Sequence, residues 1–412
     1  MDSKKLTKRI LIALVAGAIV GVALTFTPES FFGPLDKYVL DPVGQIFINL
    51  IMMLVVPLVF VSIALGTAGL GDPKKLGKIG VSAVVFFLTT TAIAISVGLG
   101  LGYLIQPGAS GVFDTSGADY TPEETPPMMD TLINIIPENP INAMASGEML
   151  QIIAFAIFIG VALAFLSEKT KGIYNLFEQA SEILNWLITV IMRFAPYGAF
   201  ALIASAIGDA GLDAIGSMLS YMLTVIAGLL VHAFIIYSLA VWLIGRSNPI
   251  TFFKVFFPAM VVGFSTSSSN AALPVAMKTA QEKLGVKKAV SSFVQPLGAT
   301  INMDGTAIMQ AVATVFISQV YDIPLAFTDL LIVVLIATLA SVGTAGVPGV
   351  GLVMLAMVLG QIGLPVEGIA LIIGIDRLLD MLRTSLNIAG DAACAYIISE
   401  RGNWNEENAE NG

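Results

Sequence analysis

Apolar runs of about 20 residues recur from one end of the chain to the other, and that recurrence leaves few folds open. A run of this length crosses the roughly 30 Å hydrocarbon core of a bilayer as a helix. In that medium every backbone group must be satisfied within its own segment or by protein around it. Of the 412 residues 56% are hydrophobic and 12% charged, with a mean hydropathy of +0.88; a soluble domain carries about 25% charged residues. The expected fold class is an all-α polytopic membrane protein. The first run begins near Ile10 and many others follow it, which marks it as a span and not a cleaved leader.

Several functions drop out on composition. Cys394 is the only cysteine, so neither an intramolecular disulfide nor a cysteine metal cluster is available. His232, the only histidine, lies in the apolar run Leu229–Tyr237 and reads as a packing residue in preference to a proton relay. The net charge of −9 argues against nucleic acid as a partner. Much of it falls in the acidic stretch 118–130 and in the tail after Arg401.

Positive charge orients the spans. Lys4, Lys5, Lys8 and Arg9 precede the first and place the N-terminus in the cytoplasm. Further basic groups follow every second span: Lys74, Lys75 and Lys78, then Lys169 and Lys171, then Arg246, then Lys278, Lys283, Lys287 and Lys288. The alternate connections are poor in Lys and Arg: 106–140 and 205–216 have none, and 29–41 has only Lys37. The 106–140 connection is therefore expected outside, as a solvated loop. Six ordinary spans reach Gly245. Gly17 and Gly21 in the first form a small-xxx-small pattern, expected to report close helix packing.

From Pro249 on, the segments change character. A short apolar arm over 250–264 meets Ser265-Thr-Ser-Ser-Ser-Asn270, and a second arm runs to about Gln281. Residues 327–342, the tip Gly343–Gly351 and an arm to about Ile362 repeat the plan. The arms are short for spans, so each unit is expected to be a re-entrant hairpin, its non-helical tip tolerated only inside protein or at a water-filled cavity. The first hairpin enters from the cytoplasm and the second from outside. Two hairpin-plus-span units of opposite orientation are the inverted-repeat signature of secondary transporters, with the binding site near the midplane.

The last span is the most informative. Asp376, Asp380, Arg383, Thr384, Asn387 and Asp391 recur at steps of three or four, within a helical arc of roughly 100°. One ionised residue at a membrane-helix centre costs at least about 2.5–3.5 kcal/mol, so this stripe requires partners, water or ligand. Arg383 is a planar fork suited to a carboxylate. Asp380, one turn earlier, suits an ammonium group, and Thr384 and Asn387 can complete the hydrogen bonding. The set matches a zwitterionic amino acid with an additional carboxylate. Asp391 and Asn387 offer hard oxygens without thiol or imidazole, which suits an alkali cation. In the preceding span, Asn302-Met-Asp-Gly-Thr306 is a polar break whose carbonyls and side chains, Asn302 and Asp304 first, are expected to face the same cavity.

Asn302-Met-Asp-Gly-Thr306, the serine-rich tip, the Gly343–Gly351 tip and Asp380-Met-Leu-Arg-Thr384…Asn387…Asp391 together resemble the dicarboxylate/amino acid:cation symporters, prokaryotic relatives of the excitatory amino acid transporters. The resemblance covers essentially the whole chain. It implies eight transmembrane helices, two re-entrant hairpins, and a homotrimer working as an elevator-type transporter. Residues 1–78 would hold scaffold helices one and two, 79–105 transport-domain helix three, and 106–204 the outer loop with scaffold helices four and five. Transport-domain helix six would occupy 205–248, and 249–412 the transport core and cytoplasmic tail.

The resemblance also assigns roles. Substrate positions carry over onto Ser268, Ser269, Thr306, Val347, Gly351, Asp380, Arg383, Thr384 and Asn387. Arg383 would hold the side-chain carboxylate, Asp380 the amino group, and Asn387 with Ser269 the main-chain carboxylate. One sodium position falls on Gly298, Asn302, Asn387 and Asp391. A second falls on Thr300, Met303, Ser341, Val342 and Thr344. A third falls on Thr90, Thr91, Asn302 and Asp304 with the carbonyl of Phe87, where tyrosine is common. Sodium is implied as the co-transported ion, with no organic cofactor, in the cell's inner (plasma) membrane with both termini cytoplasmic.

Proton-coupled relatives tend to lose the acid at Asp391 and part of the Asn-Met-Asp-Gly-Thr motif; both are intact here. Relatives that carry C4-dicarboxylates lack the acid at Asp380, and those for neutral amino acids lack the arginine at Arg383. The expected function is sodium-coupled import of L-aspartate or L-glutamate; a C4-dicarboxylate symporter or a proton-coupled glutamate symporter is the alternative. The chain departs from the archaeal pattern at Ser267 and from the animal pattern at Met381, each an arginine there. Arg377 is expected to balance charge in their place. An intramembrane aspartyl protease would need Gly69-Leu-Gly-Asp72 and Tyr321-Asp322 as its signatures, but both sit at span ends. A channel would not require an acid and a base arranged for one zwitterion.

Overall fold

The computed structural model describes all residues except 1, 2, 71, 72, 110–132, 134, 343–348 and 402–412. The described residues are helical throughout, without strands. In chain order the helices are α1 (Ser3–Leu24), α2 (Glu29–Leu35), α3 (Asp41–Leu70), α4 (Pro73–Ile105), α5 (Pro140–Ser146), α6 (Met149–Leu166), α7 (Lys171–Ile191), α8 (Ala195–Ala210) and α9 (Leu212–Val231). Then follow α10 (Pro249–Thr266), α11 (Ser269–Lys283), α12 (Lys288–Ile301), α13 (Asp304–Val320), α14 (Phe327–Ser341), α15 (Val350–Gln361) and α16 (Ile369–Arg401). Helix α9 continues into two π-helical segments, His232–Tyr237 and Ala240–Ile244.

Five stretches are long and apolar enough to cross a membrane: Ser30–Ala68, Ile79–Ile105, Gln151–Ile191, Ile215–Ile244 and Pro249–Thr266. The protein is thus a multi-pass membrane protein. Its exterior agrees with that reading, since Phe165, Trp186 and Trp242 leave 76%, 62% and 60% of their surface uncovered, while carboxylates and guanidinium groups lie inside.

The first arm after Pro249 is longer than the sequence pattern suggested. At 18 residues α10 qualifies as a span by length and composition. The chain nonetheless turns back at its end. Ser267 takes a left-handed conformation (φ +50°), Ser268 Oγ accepts the Ala271 amide to start α11 (3.3 Å), and α11 packs against α10. At the other end, Asn248 Oδ1 accepts the Ile250 amide (2.9 Å) with Pro249 in the first turn, a favourable helix start. The second unit has the same plan, α14 and α15, with most of its tip, 343–348, outside the described residues.

At the centre lies α13, buried along its length except at Gln319, so that its polar residues Thr306, Gln310, Thr314 and Ser318 are enclosed with the apolar ones. Helices α4, α9, α15 and α16 surround it. Glycines permit the closest approaches. A Cβ at Gly98 of α4 would lie 2.7 Å from the Ala311 Cβ and 2.8 Å from the Ile308 carbonyl oxygen. At Gly17 one would lie 2.8 Å from the carbonyl oxygen of Phe200 in α8, and at Gly21 2.7 Å from the Ile207 Cβ, so the small-xxx-small pattern of α1 is a packing seam.

Because Gly98 meets backbone as well as side chain, Gly98→Val is expected to destabilise by about 1–3 kcal/mol through overpacking. The measurement is the apparent melting temperature of the purified variant in detergent.

Candidate substrate and cation site

The stripe on α16 resolves into two neighbouring clusters. In the first, Arg383 Nη1 donates to Asp376 Oδ1 (2.6 Å) and Nη2 to Asp380 Oδ1 (3.1 Å). Arg377 Nη1 donates to Asp380 Oδ2 (3.3 Å). All four side chains are buried, Arg383 completely. Two guanidinium groups face two carboxylates, so the cluster is internally balanced, which a buried ionic group requires. The Nε of Arg383 is buried with no partner among the described residues.

Thr306 and Gly351 close over this cluster. A Cβ at Gly351, in the first turn of α15, would sit 3.3 Å from both Arg383 Nη2 and the Thr306 Cγ2. Beneath it, a Cβ at Gly305 would sit 2.8 Å from the Arg383 Cα and carbonyl oxygen. Two glycines therefore let α13 and α15 approach the arginine where any side chain would intrude.

The second cluster is built around the interruption at Asn302 and Met303, which separates α12 from α13. A buried break leaves backbone and side-chain polar groups that need partners, and α16 supplies several. Asn387 Oδ1 accepts the Gly305 amide (2.8 Å), and the Asn387 carbonyl accepts from Asn302 Nδ2 (2.9 Å). Asn302 Nδ2 also donates to Asp391 Oδ1 (2.9 Å), while Asn387 Nδ2 lies 3.4 Å from the Met303 sulfur. The Gly298 backbone presses on Asp391 so closely that a Cβ there would collide with the carboxylate. The Oδ1 of Asn302 is buried without a hydrogen-bond donor among the described residues. An acceptor left open beside a carboxylate is what a hard cation would use.

Asp304, the first residue of α13, is fully buried and accepts three bonds. Thr91 Oγ1 donates to Oδ1 (2.6 Å), and Tyr237 OH (2.7 Å) and His232 Nε2 (2.9 Å) both meet Oδ2.

The profile of the sodium:dicarboxylate symporter family matches residues 6–401. The chain belongs to that family. Among its relatives, the proton/sodium-glutamate symport protein of Bacillus caldotenax is 37% identical over 409 residues, covering 97% of this chain and 95% of the relative. The proton/glutamate-aspartate symporter of Escherichia coli (strain K12) is 35% identical, covering 95% and 92%. The C4-dicarboxylate transport protein of Bacillus subtilis (strain 168) is 33% identical, covering 98% and 95%.

In this family member the residues expected for the substrate and for the first cation stand together: Thr306, Gly351, Asp380 and Arg383 in one cluster, and Gly298, Asn302, Asn387 and Asp391 in the other. Thr384 and Ser269 are buried, and Ser268 caps α11. The second cation set is not joined in the same way. The hydroxyls of Thr300 and Ser341 donate to carbonyls of their own helices, Leu297 (2.9 Å) and Thr338 (2.7 Å). Thr344, like Val347 of the substrate set, lies outside the described residues. In the third set Thr91 reaches Asp304, but Thr90 donates to the Phe87 carbonyl (3.1 Å). Of the two protease-like signatures, Asp322 stands in the turn after α13 with φ +51°, and Asp72 lies outside the described residues.

Sequence reasoning missed three participants. Asp376 was visible on the stripe but not as the shortest partner of Arg383. Tyr237 carried no signal in its apolar run. His232 is not the plain packing residue expected, because its Nε2 meets a buried carboxylate.

Removing one partner from a buried ion pair typically costs about 3–5 kcal/mol, because the other charge is stranded. Asp376→Ala is expected to lower stability by about that amount, and Asp376→Ala/Arg383→Met to lose clearly less than the two single changes combined. Unfolding of the four proteins of this cycle, under one detergent condition, measures the coupling.

Proposed function

We propose that the chain is a sodium-coupled secondary active symporter that imports acidic amino acids, L-aspartate or L-glutamate. The observation that carries this reading is the balanced, buried pairing of Arg383 with Asp380 under Thr306 and Gly351. A zwitterion with a second carboxylate offers both groups an exchange of partners: its ammonium group for Asp380 and its carboxylate for Arg383. Thr384, Asn387, Ser268, Ser269 and Val347 would complete the site. The names of the Bacillus caldotenax and Escherichia coli relatives support this substrate class.

Sodium is the proposed coupling ion. The oxygen-only groups at Asn302, Asn387 and Asp391 favour an alkali cation, as does the open Oδ1 of Asn302. Second and third positions are proposed at Thr300, Met303, Ser341, Val342 and Thr344, and at Phe87, Thr90, Thr91, Asn302 and Asp304. The hydroxyls of Thr300, Ser341 and Thr90 donate to carbonyls and keep their oxygen lone pairs for a cation.

The proposed architecture is eight spans with two re-entrant hairpins in inverted repeats, assembled as a homotrimer in the inner membrane with both termini cytoplasmic. Residues 1–78 and 106–204 would form the scaffold, and 79–105 and 205–412 the moving elevator domain. The runner-up is a C4-dicarboxylate carrier, favoured by the 33% identity to the Bacillus subtilis relative of that name. The carboxylate at Asp380 speaks for an amino group.

Two measurements separate these readings. In proteoliposomes, uptake of labelled L-aspartate is expected under an inward sodium gradient and not under a matched proton gradient without sodium. Uptake with protons alone would overturn the cation assignment while leaving the substrate site in place. For the substrate, Asp380→Asn is expected to reduce L-aspartate uptake by at least about tenfold, the effect of losing a charge-assisted bond of about 1.5–3 kcal/mol. Wild-type uptake of succinate with none of aspartate would establish the dicarboxylate reading.

A further inference from the structure

His232 and Tyr237 both direct a donor at one oxygen of Asp304, yet they are five residues apart. In an α-helix five residues advance about 500°, so the two side chains would point about 140° apart. The segment His232–Tyr237 is π-helical instead, and its i→i+5 bonding brings positions five apart toward the same side. The rings meet edge to face, with centroids 4.7 Å apart at 76°. Both side chains are completely buried, as is Asp304.

We propose that the π turn makes His232 and Tyr237 a two-donor clamp on Asp304, positioning its carboxylate for a transported sodium ion. The inference rests on the reading of Asp304 as a cation ligand and adds residues that no cation set includes. A carboxylate only accepts, so Nε2 of His232 carries a proton. Its Nδ1 has no partner among the described residues, so the ring is anchored through Nε2. The clamp occupies Oδ2 at 2.7 and 2.9 Å and fixes the carboxylate plane. Oδ1, which among the described residues accepts from the hydroxyl of Thr91 alone, is left for the ion. Groups that orient a ligand in this way typically contribute 10–100-fold to metal affinity.

Reach distinguishes a clamp from packing. A glutamine at 232 can place its amide N–H near the position of Nε2, whereas an asparagine is one methylene short. The experiment is a sodium titration at one fixed pH, read by L-aspartate binding and by melting temperature, on purified full-length protein. His232→Asn is expected to raise half-saturating sodium about tenfold or more, and His232→Gln to stay within about threefold of the parent. Tyr237→Phe, which keeps the ring, is expected to raise it several-fold. Aspartate affinity at saturating sodium should remain unchanged in all three.

Equal behaviour of the Asn and Gln variants would overturn the clamp, as would an unchanged sodium requirement in Tyr237→Phe. The latter variant also decides the matter if His232→Asn does not fold. Asp304→Asn is the control. If it leaves the sodium requirement unchanged, the assignment of Asp304 itself fails. If it raises that requirement while the clamp variants do not, only the clamp is wrong.

Discussion

The bonds between Asn387 and the break at Asn302–Gly305 hold the interior together. Two non-helical residues at the centre of a membrane protein expose backbone groups to surroundings without water. Asn387 of α16 ties the break down: its side chain accepts the Gly305 amide and its carbonyl accepts the Asn302 side-chain amide. Once this attachment is made, the register of α16 against α13 is set. Arg383, four residues earlier, then lies on Gly305, and Asp391, four residues later, lies against Asn302 and Gly298. Both polar clusters follow from a single junction.

The glycines around this junction are a consequence of the same geometry. Gly298, Gly305 and Gly351 each occupy a place where a Cβ would meet the Asp391 carboxylate, the Arg383 backbone or its guanidinium. These positions are defined by what the neighbouring charged group needs, so they read as part of the site. Gly17, Gly21 and Gly98 instead meet apolar side chains or carbonyls, and their contribution is close helix packing.

Much of this was legible in the sequence because it obeys a period or breaks one. The α16 stripe repeats at three and four, the 302–306 break interrupts an apolar run with Asn, Asp and Gly, and the first tip is marked by serines. What was not legible depends on geometry that periodicity does not encode. His232 and Tyr237 converge only because their turn is π-helical, and an α-helical projection sends them apart. Thr300 and Ser341 look like free oxygens in sequence, but both satisfy carbonyls three residues back, a local option always open to these side chains. Helix α10 is long enough to span, and its reversal rests on the conformation of Ser267 rather than on its hydropathy.

The two clusters differ in how their charge is met, and this difference suggests why a substrate and a cation would move together. Asp376, Arg377, Asp380 and Arg383 balance one another. Asp304 and Asp391 are held by Thr91, Tyr237, His232 and Asn302, which donate hydrogen bonds without an arginine or lysine among them. An acidic amino acid carries one net negative charge. Its entry into the balanced cluster would leave that region negative at membrane depth, where ionised groups without counter-charge are costly. Sodium at the positions proposed beside Asp304 and Asp391 would offset both the acids and the incoming charge. Because Asn387 bonds the break and α16 also carries the arginine, the two proposed sites share one junction, and filling either would lower the electrostatic cost of filling the other. Coupling of this kind would require no long-range conformational signal; it would follow from the junction that sets the arginine cluster of α16 beside Asp391 of the same helix and Asp304 of α13.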